Sequence, residues 1–238
     1  MKSGFPGFSP EAMAFFRGLK KNNRREWFQA RKETFEDKVK SPMVELVGAL
    51  NRELARFAPG YATDPQKAIY RIYRDTRFSH DKAPYKTHIA AVFTRRGLEK
   101  HASAGLYFSV SPDEIEVAGG VYMPGPDQLL AIRNLLAASH AEFRRILQRK
   151  TLRTLMGDLW GEQLTRVPKG FSADHPAQDL LRRKQWLVYV LLDPSLATSP
   201  SLLREISRRF RAMAPFVEFL NRPLLQREKK PDSREFFL

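Results

Sequence analysis

The 238-residue sequence contains no cysteine. This absence excludes a disulfide scaffold, a thiol nucleophile and a thiolate metal site, and it fits a protein of the reducing cytoplasm. The 5 histidines form neither an H-x-x-x-H nor an H-E-x-x-H pattern, and no cluster of carboxylates accompanies them. We therefore expect no metal site, and no residue pattern points to a cofactor.

Long apolar stretches are also missing. No run approaches the roughly 20 residues that a membrane-spanning helix needs, so we expect no membrane partner. The first seven residues contain no apolar segment of the kind that begins a secretory signal, which favours a cytoplasmic location. The motifs G-x-x-x-x-G-K, G-x-G-x-x-G and G-x-S-x-G are absent as well, so no common enzyme template applies. Whether the protein is an enzyme, and its oligomeric state, stay open.

Acidic residues are scarce relative to basic ones. The chain has 41 Lys and Arg against 26 Asp and Glu, which gives a formal net charge of +15. Such an excess attracts polyanions, for example nucleic acid or phosphorylated metabolites. A general basic bias without any specific partner explains the total equally well. The location of the cations along the chain is therefore more informative than their sum.

The apolar periodicity predicts helices at both ends of the chain and antiparallel strands between them. Helices are expected to begin at Ser9-Pro10, at Asn23 with Glu26 as a capping box, at Pro42 after a break, after Pro126, at Ser139 and at Ser199-Pro200. Strands are expected at 68–74, 88–95, 102–110, 115–123 and, in the sheet interior, 185–192. These elements predict an α+β fold with a largely antiparallel sheet flanked by helices. We expect a single domain over residues 1–238, with a helical N-terminal portion at about 8–60.

The most unusual segment runs from residue 71 to residue 86, and we call it the cationic segment. It contains more cations than acids, and Arg forks match the oxygens of phosphate and carboxylate groups. The predicted strand alternation places Arg71, Tyr73 and Asp75 on one face. We predict that the polar residues of this segment converge and bind an anionic ligand: Arg71, Arg74, Asp75, Arg77, Asp81, Lys82, Tyr85 and Lys86.

The same segment resembles the signature of a bacterial family, Domain of Unknown Function 2461, in which R-x-x-R-D-x-R-F is followed by D-K-x-x-Y. The matching positions are Arg71, Arg74, Asp75, Arg77, Phe78, Asp81, Lys82 and Tyr85. The likeness extends to Asn22-Asn23 with Glu26-Trp27-Phe28, to Gly119 through Pro124, and to Pro168 through Phe171 before His175-Pro176. The resemblance implies no established activity, but it suggests that these separated blocks meet in one site.

A secondary set of residues consists of His80, His88, Trp27, Lys169 and His175. The first two flank the basic loop, and a histidine there can act as an acid or a base near neutral pH. A surface or hydrogen-bonding role is the more ordinary interpretation. For His175, capping of the following helix is the competing role. Trp27 lies on a basic helix face, where an apolar core role competes with ligand binding.

Three functions remain open at this point. The first is a pocket for a phosphorylated or other anionic small molecule. The second is a nucleic-acid-binding domain that uses a broad basic surface. The third is a scaffold or partner-binding protein in which internal Arg–Asp pairs only hold the loop on the sheet. Geometry distinguishes them, because a concave cluster, a flat basic stripe and fully paired buried arginines are different structures.

Overall fold

The structure is a computed structural model that describes residues 4–77 and 79–227, so Phe78 of the signature lies outside the described residues. Its strands are β1 (Ile89–Thr94), β2 (Gly105–Val110), β3 (Ile115–Val121) and β4 (Trp186–Leu192). They form one antiparallel sheet in the order β1-β2-β3-β4, and helices precede and follow it, which confirms the α+β class. The helices are α1 (Pro10–Lys21), α2 (Arg25–Gln29), α3 (Lys32–Phe35), α4 (Ser41–Phe57), α5 (Pro65–Ala68), α6 (Pro126–Leu147), α7 (Lys150–Met156), α8 (Gln178–Leu181) and α9 (Leu202–Arg227).

Helix α1 begins where the sequence predicts. The Ser9 hydroxyl accepts a hydrogen bond from the Ala12 backbone at 3.3 Å, and Pro10 occupies the first helical position. A proline costs nothing there because that backbone nitrogen has no partner in the helix. The predicted apolar face is buried, with Phe16 and Leu19 fully inaccessible. Local sequence and burial agree in this helix.

The next two helix predictions need correction. Helix α2 begins at Arg25 and has no side-chain cap, because the Asn23 side chain is bonded to the Tyr85 backbone instead. The break expected before Pro42 is a helical connection through the π-helical turn Glu36–Lys40. Pro42 follows that turn and lies in the first turn of α4.

The strand predicted at 68–74 is wrong. Asp64 caps α5, so residues up to Ala68 are helical, and beyond them only two isolated antiparallel bridges form, Ile69 with Ala91 and Tyr73 with Tyr85. The sequence separation is 4 residues on one side of these bridges (73 − 69) and 6 on the other (91 − 85). A regular antiparallel ladder requires equal separations on its two strands, so residues 69–73 and 85–91 pair irregularly.

The predicted hairpin of β2 and β3 is confirmed. Among the strands that the structure describes, β4 has no second strand beside it as the interior position requires, but Leu187 forms an isolated antiparallel bridge with Trp160. Within the described residues β4 lies at the end of the strand order, and Tyr189 is 42% exposed. A continuous apolar run cannot distinguish an interior strand from an edge strand. Gly120, with φ of 129°, allows the backbone of β3 to lie close to that of β4, since a Cβ there would lie 2.0 Å from the Trp186 carbonyl oxygen.

The described residues group into two compact units. Unit 1 comprises those within Met1–Phe93, Tyr107–Val117 and Val190–Arg208, and unit 2 those within Thr94–Leu106, Ala118–Tyr189 and Arg209–Leu238. In unit 1 the Phe93 and Phe108 rings stack at 6.4 Å. In unit 2 helix α6 has non-helical angles at Ser139, where the sequence predicts a second helix to begin. The single-domain assignment stays a prediction.

Candidate functional site

The cationic segment folds back on itself in unit 1. The Arg74 amide donates to the Pro84 carbonyl at 2.9 Å, and the Lys86 amide donates to the Ile72 carbonyl at 2.8 Å. These bonds close a loop that carries half of the predicted ligand-binding residues, namely Asp75, Arg77, Asp81 and Lys82. The segment is thereby brought together, but its side chains have different surroundings.

Arg74 and Asp81 form the first group and hold the loop closed. Arg74 Nη1 donates to Asp81 Oδ2 at 2.5 Å and to the Ala83 carbonyl at 3.2 Å. Asp81 Oδ1 accepts from the Ala83 amide at 2.9 Å. The Ala83 amide and, second, Arg74 lower the pKa of Asp81. Arg74 and Asp81 therefore have the geometry expected of the scaffold alternative, in which an internal Arg–Asp pair holds the loop in place.

Arg77, Asp75 and Lys82 form the second group, at the exposed tip. The Arg77 guanidinium binds Asp75 through Nε at 3.0 Å and Nη2 at 2.8 Å, and these bonds lower the pKa of Asp75 to about 2. Lys82 Nζ donates to the Thr76 carbonyl at 3.0 Å. The Arg77 side chain is 77% exposed, and exposed ion pairs contribute only about 0–1 kcal/mol. An incoming anion can therefore compete for this guanidinium at little cost.

Arg71 is exposed and differs from the other arginines of the segment. Among residues 4–77 and 79–227 it has no hydrogen bond or ion-pair partner, although its charge contributes weakly to the lowered pKa of Asp75. It thus lies within electrostatic range of the loop tip while its five N–H donors stay available.

Tyr85 belongs to a third environment, an aromatic cluster. It is 2% exposed, and its ring stacks on Phe28 at 4.3 Å and lies 5.3 Å from Tyr73. Burial raises its pKa. Its backbone is fixed by Asn23, whose amide group donates to the Tyr85 carbonyl at 2.9 Å and accepts from the Tyr85 amide at 3.0 Å. Sequence reasoning missed this role of Asn23, although the residue belongs to a block that carries the family resemblance.

Lys86 and His88 lie on the other side of the returning chain. Lys86 Nζ lies 4.9 Å from the centroid of the Tyr70 ring. His88 is half-buried, and burial and, second, the Lys86 charge lower its pKa, so the imidazole is neutral at pH 7. These two residues do not share the surroundings of Tyr85.

The remaining secondary residues are divided between the units. In unit 1, His80 is exposed, and Trp27 is half-buried, with its ring 5.5 Å from Phe15. In unit 2, Lys169 is exposed, and His175 Nδ1 accepts from the Ala177 amide at 3.0 Å just before α8. Helix α8 has Ala177 as its N-cap residue and no side-chain capping bond, so this bond precedes the helix and the capping role of His175 stays a prediction.

Two negative observations apply to the described part of the chain. Its His, Asp and Glu residues include no group of three or more placed to hold a metal ion. None of its helices combines the length and the apolar character that crossing a bilayer requires.

Comparison with known proteins identifies one family. The family model for a conserved hypothetical protein (DUF2461) matches residues 11–219, which is most of the chain and includes the cationic segment. No curated protein matches the sequence.

Proposed function

We propose that this protein, which belongs to the DUF2461 family, binds a phosphorylated or otherwise anionic ligand at the tip of the cationic segment. The observation that carries the proposal is the state of Arg71. An exposed guanidinium with no hydrogen bond or ion pair among the described residues lies within electrostatic range of Asp75. Guanidinium groups bind phosphate and carboxylate oxygens through two parallel hydrogen bonds, so this arrangement suits an oxyanion.

The proposal assigns different roles within the predicted site. Arg71, Arg77 and Lys82 contact the ligand, because each is exposed, Arg77 pairs with the exposed Asp75, and Lys82 donates to a backbone carbonyl. Arg74 and Asp81 position the loop, since their bonds to each other and to Ala83 hold its ends. Asp75 orients Arg77 until the ligand replaces it.

Isothermal titration with inorganic pyrophosphate at low salt tests this function. We expect the intact protein to bind the probe and Arg71→Gln to weaken binding about tenfold or more, because hydrogen bonds to charged groups contribute about 1.5–3 kcal/mol. The matched control is Arg17→Gln, which removes a cation of α1 that is also exposed and has no hydrogen bond or ion pair among the described residues. This control leaves the affinity within about twofold if the effect is local rather than a change of net charge.

The same titrations separate the alternative functions. Equal weakening by Arg71→Gln and Arg17→Gln would contradict a local site. Failure of pyrophosphate to bind, together with salt-sensitive binding of a single-stranded oligonucleotide, would favour the nucleic-acid alternative. Failure of both probes, with Arg71→Gln unfolding the protein, would favour the scaffold alternative.

A further inference from the structure

Four half-buried polar side chains lie on one face of the sheet in unit 1, namely those of Tyr70, His88, Tyr107 and Glu116. Their sequence neighbours Phe108 on β2 and Val117 on β3 are fully buried on the opposite face of the sheet, which faces the core. Because successive side chains of a strand point to opposite faces, Tyr107 and Glu116 share the second face. On β1 the Phe93 ring stacks on Phe108 and so lies on the core face. His88 precedes Phe93 by five residues, an odd number, so its side chain lies on the same face as Tyr107 and Glu116.

The two tyrosines approach each other at β1. The Tyr70 amide donates to the Ala90 carbonyl at 2.9 Å, which places Tyr70 beside β1. Its ring centroid lies 6.3 Å from that of Tyr107 on the neighbouring strand β2. Lys86 Nζ lies 4.9 Å from the centroid of the Tyr70 ring and supplies a cation beside it.

His88, Ser109 and Glu116 extend in the same direction from the tyrosines. Strands β1 and β2 are antiparallel, so moving backwards along β1 and forwards along β2 leads in the same direction. His88 lies two residues before Ala90, and Ser109 lies two residues after Tyr107, so both are displaced in this direction. The turn of the hairpin is closed by the Ser111 amide, which donates to the Glu114 carbonyl at 3.0 Å. Counting back from that pair along both strands places Ser109 directly opposite Glu116.

His88 and Glu116 lack partners within the described part of the chain. Neither side chain has a hydrogen bond or an ion pair there, although both are half-buried. Half-buried polar groups normally have protein or solvent partners, because desolvation without a partner costs free energy. The face therefore offers an unused imidazole and an unused carboxylate.

Burial shifts the pKa values of all four polar groups on this face. Burial raises the pKa of Tyr70 and of Tyr107 to about 12, so both phenols keep their protons. Burial and the Lys86 charge lower the pKa of His88, and burial and the Glu114 charge raise that of Glu116. The Tyr107 hydroxyl is hydrogen-bonded to Ser109, and the Glu116 charge also raises the pKa of Tyr107, so the carboxylate lies within electrostatic range of this phenol.

We propose that this face binds a small molecule with an anionic group at one end and hydroxyl groups at the other, of which a sugar phosphate is the simplest example. Lys86, Tyr70 and Tyr107 donate to the anionic group, His88 contacts the middle of the molecule, and Glu116 accepts from its hydroxyls. Strands β1 and β3 are two strand spacings apart, about 10 Å, which matches a molecule of this size. The site uses residues other than the exposed loop cations and does not rest on the function proposed for them.

The imidazole signal of His88 in NMR spectra reports occupancy directly. The probes are ribose 5-phosphate, ribose and inorganic phosphate, each titrated into the intact protein. We expect ribose 5-phosphate to shift the His88 signal at the lowest concentration. Tyr107→Phe, which removes one hydroxyl, should weaken ribose 5-phosphate and phosphate alike by about tenfold, as expected for a hydrogen bond to an anion. Glu116→Gln should weaken ribose 5-phosphate and ribose but leave phosphate unchanged, because only the first two carry the hydroxyls that Glu116 binds.

Glu114→Gln is the matched control, because it removes the same charge from an exposed position of the same hairpin. Circular dichroism establishes that each variant is folded. An unmoved His88 signal with all three probes overturns the proposal, as does equal weakening by Glu116→Gln and Glu114→Gln. Arg71→Gln should leave these shifts unchanged, so failure of the loop function and failure of this site are separable.

Discussion

Removal of the Asn23 side chain tests how the cationic segment is attached to the helical N-terminal portion. The side-chain amide makes two hydrogen bonds to the Tyr85 backbone, at 2.9 and 3.0 Å. The Asn23 side chain therefore pairs with the Tyr85 backbone as a neighbouring strand would, and it connects the segment after α1 to the end of the loop. Asn23→Ala leaves both backbone groups of Tyr85 without these partners.

The expected cost follows from burial. Each hydrogen bond contributes about 0.5–1.5 kcal/mol net, and a buried group left without a partner costs about 1–3 kcal/mol. Tyr85 is 2% exposed, so little water reaches the freed groups, whereas Asn23 itself is only half-buried. We expect Asn23→Ala to lower the free energy of unfolding by about 2 kcal/mol.

Asn22→Ala provides the matched comparison. The Asn22 side chain donates only to the Gly18 carbonyl at 3.1 Å, and that carbonyl also accepts from the Asn22 backbone. No group loses its last partner, so the cost should stay below about 1 kcal/mol. Neither substitution changes charge.

Urea unfolding measures both variants, with the midpoint shifted and the slope unchanged if the native and unfolded states keep their compactness. Hydrogen exchange gives the local reading. The Tyr85 and Arg74 amides should exchange faster in Asn23→Ala than in Asn22→Ala, because the Arg74 amide is bonded to the adjacent Pro84 carbonyl. Equal stability of the two variants, with unchanged protection of Tyr85, would refute the attachment.

Three further substitutions test other parts of the structure. Gly120→Ala should cost about 3 kcal/mol or more in urea unfolding, because φ is 129° and the new Cβ would lie 2.0 Å from the Trp186 carbonyl oxygen. Burial and the Lys86 charge lower the pKa of His88 in the folded protein below 6.5, so the unfolded chain takes up a proton at a higher pH than the folded protein does. The free energy of unfolding should therefore fall as the pH drops below 6.5. His88→Gln should remove that part of the pH dependence. Arg133 is 8% exposed and has only a backbone carbonyl as acceptor among the described residues, so Arg133→Met should change stability by less than about 1 kcal/mol in the same assay.

Helices and strands with local signals could be predicted well from the sequence. Ser9-Pro10 starts α1 because the cap and the proline act within one turn. The β2–β3 hairpin follows from alternation and a short turn. Pro42 was misleading, because a proline in the first turn of a helix and one that breaks a helix have the same local sequence.

Elements that depend on distant partners could not be predicted. The 68–74 segment has the composition of a strand, but its partner 85–91 contains two more residues between the bridged positions. Gln185 to Leu192 reads as an interior strand, whereas its place at the end of the strand order is set by which strand pairs with it. Pairing is a long-range choice that a local window does not contain.

The same division applies to the candidate site. The sequence by itself determined the α+β class, the concentration of cations in one segment, and the family to which that segment points. Only the tertiary structure decided that Arg74 is used by Asp81, that Arg71 stays available, and that Tyr85 is buried against Phe28. The reason is physical: charge and apolar content are properties of a residue, whereas pairing and burial belong to contacts between residues far apart in the chain.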